Sequence, residues 1–361
     1  MPPESPIPLG EGTLLSELET PERSEPTGPT PVARYSVEHP VGAGGMGEVE
    51  AVRDHLLGRT VARKRLRTER AGSPGHAELL WEEARTTAGL EHPGIVSLYD
   101  AGVDDRGEAW FTMRYVRGQT LAEALAGLDR PADRQRLIGR LLAAVEAVAF
   151  AHSRGGIHND LKPSNIVCGP YGETVVIDWG LARAPDRDPQ ARGGTRAYMS
   201  PERLAGQPAD AAADTWALGA SLYELLTGAP PPPPPLDRPS LERWWAERAA
   251  APALREQPPD LAAIALHALR PDPARRYAQA GALAEELRSW TEGRFVGVHS
   301  YGPRQALALL ARRHRLAVRV GAARSPQEGR RLPEHLSRRQ ARRVPVPRRL
   351  PPRGVAGAAR R

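Results

Sequence analysis

His158-Asn159-Asp160-Leu161-Lys162-Pro163-Ser164-Asn165, followed by Val175-Val176-Ile177-Asp178-Trp179-Gly180, is the stretch on which the reading of this chain turns. Two short apolar runs each open onto a polar loop, and the loops carry a particular set of side chains. Transfer of a phosphoryl group asks little covalent chemistry of a protein. It needs a carboxylate to accept a hydroxyl proton, a cation near the transferring group, and oxygen ligands for magnesium. Asp160, Lys162, Asn165 and Asp178 supply that inventory: Asp160 as proton acceptor, Lys162 as the cation, Asn165 and Asp178 as metal ligands. His158 has the side chain of a general base, yet in this setting it is expected to anchor the loop through packing and a backbone bond.

Working toward the N-terminus, Val41-Gly42-Ala43-Gly44-Gly45-Met46-Gly47-Glu48-Val49 is a complete G-x-G-x-x-G-x-V. Its glycines let a strand-turn-strand backbone lie close over phosphate oxygens and aim N–H groups at them. Alone the motif is weak, since glycine-rich turns occur in many hairpins. Its position strengthens it. Val61-Ala62-Arg63-Lys64 follows as a strand, and Lys64 there is placed to pair with the α- and β-phosphates. A carboxylate must aim that lysine, and Glu83 on the next predicted helix is the candidate; Glu82 points about 100° away around the axis.

Composition sharpens this. Of 50 basic residues only two, Lys64 and Lys162, are lysine. A chain so biased toward arginine keeps lysine where a compact ammonium is not replaceable by a planar guanidinium, and both lysines have phosphate-facing positions. The net charge of +7 is unevenly spread: residues 1–34 carry −4, 35–293 carry −5 and 294–361 carry +16. The basic character belongs to the tail. That tail could meet an acidic partner or an anionic surface by counterion release, and nothing in it predicts sequence-specific nucleic-acid reading. The single cysteine, Cys168, excludes an internal disulfide and a multi-thiolate metal site and points to a reducing, cytoplasmic setting. No run of 18 apolar residues is present, so no transmembrane segment is expected.

Organisation follows texture. Residues 1–34, with eight prolines and six glutamates, read as a disordered leader. Strands are expected at Tyr35–Val41, Gly47–Asp54, Thr60–Leu66, Ile95–Tyr99 and Ala109–Val116, with a helix over Ala77–Leu90. Helical patterns then dominate: Leu121–Leu128, Asp133–His152, Thr215–Thr227, Leu241–Ala250, Pro259–Leu269 and Gln279–Thr291. Strands first and helices after predict an α+β arrangement in two lobes, about 35–116 and about 117–293. The six prolines of 230–235 predict a solvated polyproline II spur. Residues 294–361 are expected to be mostly disordered, apart from a short helix over Gln305–Val318. Deletion after Arg294 is expected to leave turnover unchanged.

Residues 35–293 resemble the eukaryotic-like serine/threonine protein kinases of bacteria. The resemblance runs on through Gly194-Thr195-Arg196-Ala197-Tyr198-Met199-Ser200-Pro201-Glu202, Asp214-Thr215-Trp216-Ala217-Leu218-Gly219 and Asp272-Pro273-Ala274-Arg275-Arg276-Tyr277. It implies a bilobal kinase fold, with a small antiparallel-sheet N-lobe bearing one helix and a larger helical C-lobe. The implied activity is transfer of the ATP γ-phosphate to protein Ser or Thr hydroxyls, with magnesium, or manganese in its place. It also implies that Val41–Gly47, Val49 and Ala62 line the nucleotide and that Met113 guards the back of the adenine pocket. The Arg114–Val116 backbone would hydrogen-bond the adenine, Asp214 would open the buried central helix, and Glu202 would pair with Arg276. Lys162, two places after the catalytic Asp, is the serine/threonine pattern.

Three features depart from the family. Asn159 stands where most members have the arginine that grips a phosphorylated activation segment, and residues 181–194 contain no Ser, Thr or Tyr. The departures agree with each other, and activity is expected not to depend on phosphorylation of that stretch. Trp179 replaces the usual Phe as an apolar anchor. A kinase-like scaffold or signalling pseudokinase, motivated by Asn159 and Trp179, stays open as the alternative.

Overall fold

Lys64 reaches the interior because of strand periodicity. In β3 (Arg59–Leu66) side chains alternate faces: Ala62, Lys64 and Leu66 are buried on one face, while on the other Val61 is buried and Arg63 and Arg65 are half-buried. The computed structural model describes residues 34–43, 47–66, 76–128, 131–179 and 196–302, all within the first of the chain's two structural units, Met1–Leu309. Around β3 lie β1 (Tyr35–Ala43), β2 (Gly47–Asp54), β4 (Leu98–Val103) and β5 (Ala109–Met113). They form an antiparallel sheet in the order β1-β2-β3-β5-β4, with Val49 opposite Lys64 and Ala62 opposite Met113. Helix α1 (His76–Ala88) packs on it through Leu80, Glu83, Ala84 and Thr87, one face at helical spacing; Glu82 is exposed.

The larger lobe begins with β6 (Gln119–Thr120) and α2 (Leu121–Ala126), started by a capping box between Thr120 and Glu123. A 3₁₀ turn (Pro131–Leu137) leads into α3 (Ile138–Ser153), and β7 (Ile166–Cys168) and β8 (Thr174–Val176) pair with β6 in a second small sheet. The helices α4 (Pro201–Leu204), α5 (Ala211–Thr227), α6 (Arg238–Ala250), α7 (Pro252–Arg255), α8 (Pro259–Ala268) and α9 (Ala280–Thr291) complete it. Helix α5 is buried on nearly every side. Asp210 caps its start through Ala213 N–H, and Gly228 ends it in the left-handed conformation. Gly219 on α5 lies against Ala268 of α8, where an added Cβ would fall well inside contact distance of the Ala268 methyl. Gly219→Ala is therefore expected to lower stability by about 1–3 kcal/mol through overpacking, read as a lower thermal midpoint.

Four expectations are corrected. The strand predicted at Ile95–Tyr99 lies further on, at Leu98–Val103: Ile95 and Val96 instead bond to Val176 and fill the core of the larger lobe. The strand predicted through Val116 ends at Met113, as Arg114 N–H turns to Ser97 O at 2.8 Å. The helix predicted from Asp133 begins at Ile138, after the 3₁₀ turn. The proline run is no solvated spur. Pro231 and Pro234 are buried, the one-in-three spacing of a polyproline II face, and Pro232 O accepts the Trp244 indole N–H at 3.0 Å.

The chain also goes on packing beyond 293. Val296 is 1% exposed, its N–H meets the Tyr301 hydroxyl at 2.8 Å, and Gly297 N–H meets Glu286 of α9 at 2.7 Å. A cut after Arg294 removes those contacts. The leader through 33, the segment 180–195 and the tail from 303, including the helix expected at 305–318, lie outside the described residues.

Candidate active site

The two lobes meet on one cation. Lys64 Nζ is 2.6 Å from Glu83 Oε1 and 2.8 Å from Asp178 Oδ1, so the small-lobe ammonium bridges α1 and the loop after β8. Lys64 and Glu83 side chains are 8% and 4% exposed, and Asp178 is 38% exposed. Burial alone would lower Lys64, but the Asp178 and Glu83 carboxylates outweigh it and hold the ammonium above its usual range. Burial would raise Asp178, and Lys64 holds it below the ordinary carboxylate range. Burial pushes Glu83 up to about 7, with Lys64 pulling against it.

Gly42, Ala43, Gly47 and Val49 lie on the β1–β2 hairpin beside β3, with Gly42 opposite Val49. Gly47 has no room for a Cβ, which would collide with Arg65 O. Val41 is exposed on β1 and Ala62 is buried on β3. Gly44, Gly45 and Met46 lie outside the described residues. Met113 packs against the cores of both lobes and Val116 against that of the larger one. Of the backbone groups expected at the adenine, the Arg114 N–H is already donated within the small lobe.

Asp160 and its neighbours are assembled by the loop between α3 and β7. Lys162 Nζ donates to Asp160 Oδ2 at 2.9 Å, and Asn165 Nδ2 donates to Asp160 O at 2.8 Å. Asp160 Oδ1 is buried and has no hydrogen-bond partner among the described residues, an acceptor that a substrate hydroxyl would satisfy. Asn165 spends its amide nitrogen on Asp160, leaving the amide oxygen as an acceptor. Among the described residues no cluster of three or more His, Cys, Asp or Glu could hold a metal. A divalent ion here would rest on Asp178 and Asn165 and take its other oxygens from phosphate, the way magnesium is commonly held. The donor set fits a magnesium–nucleotide complex.

The loop is anchored from α5. Asp214, 1% exposed, accepts His158 N–H at 2.7 Å, Asn159 N–H at 2.8 Å and His152 Nε2 at 3.0 Å. His158 Nε2 is 3.0 Å from Ile177 O, and its Nδ1 accepts Asp160 N–H at 3.3 Å. With both ring nitrogens engaged and the ring packed on Trp179 at 4.6 Å, His158 is a strut and not a base. Trp179 is 1% exposed and anchors its loop in the core. Asn159 and Asp178 both have φ of 66°, the left-handed region that Asn and Asp tolerate better than other side chains. Glu202 and Arg276 form a two-bond pair at 2.6 and 2.8 Å.

Sequence reasoning missed His152, which joins Asp214 to the start of α9 through Ala280 N–H, and Arg203, which reaches Asn159. Neither belongs to a local motif. His152 lies in the last turn of an apolar helix with nothing to mark its distant partner.

A five-stranded small lobe, a helical large lobe and a lysine bridging two acidic groups between them define the architecture of the protein kinase class. The family model for the protein kinase domain matches residues 35–287, and the chain belongs to that family. Serine/threonine-protein kinase PknD of Protochlamydia amoebophila is 33% identical over 311 residues, 76% of this chain and 32% of that protein. PknB of Mycobacterium tuberculosis is 34% identical over 301 residues, 80% of this chain and 47% of that protein. The chain thus spans about a third to a half of the length of these relatives. The crystal structure of the Mycobacterium tuberculosis PknI kinase domain superposes with a TM-score of 0.55 at 26% identity, covering 71% of this chain and 96% of that one.

Proposed function

We propose that this chain is an ATP-dependent protein serine/threonine kinase, and the observation that carries the reading is Lys64 held between Glu83 and Asp178. Lys64, aimed by Glu83, positions the α- and β-phosphates. Asp178 and Asn165 hold the metal, magnesium or manganese, which supplies charge neutralisation across the phosphates when bound. Asp160 orients the substrate hydroxyl and takes its proton. Lys162, which bonds Asp160, shares its cation with the transferring group. Residues 41–47, Val49 and Ala62 cover the nucleotide, Met113 backs the adenine, and the Arg114 carbonyl and Val116 backbone are the groups left to bond it. The kinase domain spans 35–293 with the packed turn to 302 attached, and the Arg-rich tail meets an acidic partner or anionic surface. No described helix is long and apolar enough to cross a membrane; a cytoplasmic site of action is the proposal. Incubation with ATP, magnesium and a generic protein substrate is expected to yield phosphoserine and phosphothreonine without phosphotyrosine. Absence of transfer from the wild type would favour the scaffold reading.

Activity is proposed not to be switched by phosphorylation between 181 and 194, since that stretch has no hydroxyl side chain and Asn159 offers no cation to read a phosphate. Phosphosite mapping after ATP incubation is expected to find no site there, and phosphatase treatment to leave turnover within about twofold, well under the 1.4 kcal/mol that marks tenfold. A phosphopeptide from 181–194 whose removal changes turnover would overturn this.

A further inference from the structure

Arg203 of α4 is a cation in an unusual setting. It is 7% exposed, its Nε donates to Asn159 Oδ1 at 3.0 Å and its Nη1 donates to Gln207 O. Both acceptors are neutral, and no carboxylate among the described residues pairs with it. Burying a guanidinium without a counter-charge is costly, and an apolar side chain of similar volume often serves stability as well or better. Bulk packing therefore does not account for an arginine at this position.

The geometry around it does. Arg203 faces a cavity lined by Asn159, Asp160, Tyr198, Ser200 and Asp214, and its water-sized space is about 20 Å³. Among the described residues the side-chain partner of the guanidinium is Asn159. Asn159 has its backbone N–H fixed by Asp214 at 2.8 Å, its side chain fixed by Arg203, and a left-handed backbone between them. The next residue is Asp160. The same segment is tied at its other end, where the Tyr198 hydroxyl donates to Glu224 of α5 at 2.7 Å.

We propose that Arg203 is a positioning residue. By gripping Asn159 it fixes the direction of Asp160 relative to α4; the proposal rests on the kinase reading of Asp160 for its effect on turnover. Because encoded side chains make the tie, it is in place without any covalent modification.

The test compares wild type with Arg203→Met, Asn159→Ala, the double variant and Asn159→Asp in steady-state peptide phosphorylation. Arg203→Met keeps the volume and drops the donor. It is expected to lower kcat by about 10- to 100-fold, the scale of a small misplacement of a reacting group, with the KM for ATP unchanged. Asn159→Ala is expected to match it, the double variant to be no worse than either, and Asn159→Asp, which keeps the acceptor, to retain turnover. Wild-type kcat in Arg203→Met, or losses that multiply in the double variant, would overturn the proposal. Amide hydrogen exchange at 158–161 decides it without activity: faster exchange in Arg203→Met supports the tie and unchanged exchange overturns it. A wild type that transfers no phosphate but shows this exchange response would remove the kinase reading and leave the tie standing.

Discussion

Asp160→Asn is expected to lower phosphoryl transfer to a protein substrate by about 10²–10⁴-fold, the usual contribution of a positioned proton acceptor, with ATP affinity nearly unchanged. The substitution preserves shape. Asparagine can still accept from Lys162 Nζ, which meets Asp160 Oδ2 at 2.9 Å, and the backbone carbonyl that receives Asn165 Nδ2 is untouched. What it removes is the negative charge and the basicity of Oδ1, the buried oxygen with no partner among the described residues. Nucleotide contacts are assigned elsewhere, to Lys64 and Asp178, so binding and turnover should separate. Radiolabelled phosphate incorporation, measured beside nucleotide affinity, checks both halves. Equal incorporation by the two proteins would mean that Asp160 is not the proton acceptor.

Arg276→Ala is expected to cost about 3–5 kcal/mol of folding stability, the range found when one partner of a buried ion pair is removed. Arg276 is fully buried at its side chain and Glu202 is 11% exposed. The guanidinium bonds both Glu202 oxygens, Arg270 O and Pro271 O, and stacks over Trp216 at 4.7 Å. Its loss strands a carboxylate and two carbonyls at once. The pair also carries a pH signature. Burial alone would raise the Glu202 carboxyl, but Arg276 outweighs it and holds it below its ordinary value of 4.5. A folded value below the unfolded one gives stability that is full above about pH 4.5 and is lost as the pH falls through the folded value. Chemical denaturation at neutral and acid pH is expected to show a smaller acid loss in Arg276→Ala than in the wild type. An apolar double replacement at 202 and 276 should recover much of the deficit; a single variant as stable as wild type would remove the pair from the stabilising set.

Much of the candidate site was legible because its parts are local. A loop such as 158–165 holds several groups on one short backbone, and period-two alternation puts Lys64 on the same face as Ala62 and Leu66. Helical geometry chose Glu83 over Glu82, and Glu83 is the one that meets Lys64. The misreadings share a physical origin. Ile95 and Val96 are as apolar as a strand, and only β8 passing beneath makes them a core-filling turn. The proline run has the composition of a solvated rod, and only the Trp244 indole makes it a docked one.

The chain by itself determined the chemical inventory and its order, since residue type, strand and helix periods and loop composition are properties of short segments. Tertiary structure alone decided which distant groups share a proton or a charge: His152 with Asp214, Arg203 with Asn159, Gly297 with Glu286 of α9. Such pairings are set by how whole elements pack. Burial then gives them their strength, because removing water raises the cost of leaving any one of those polar groups alone.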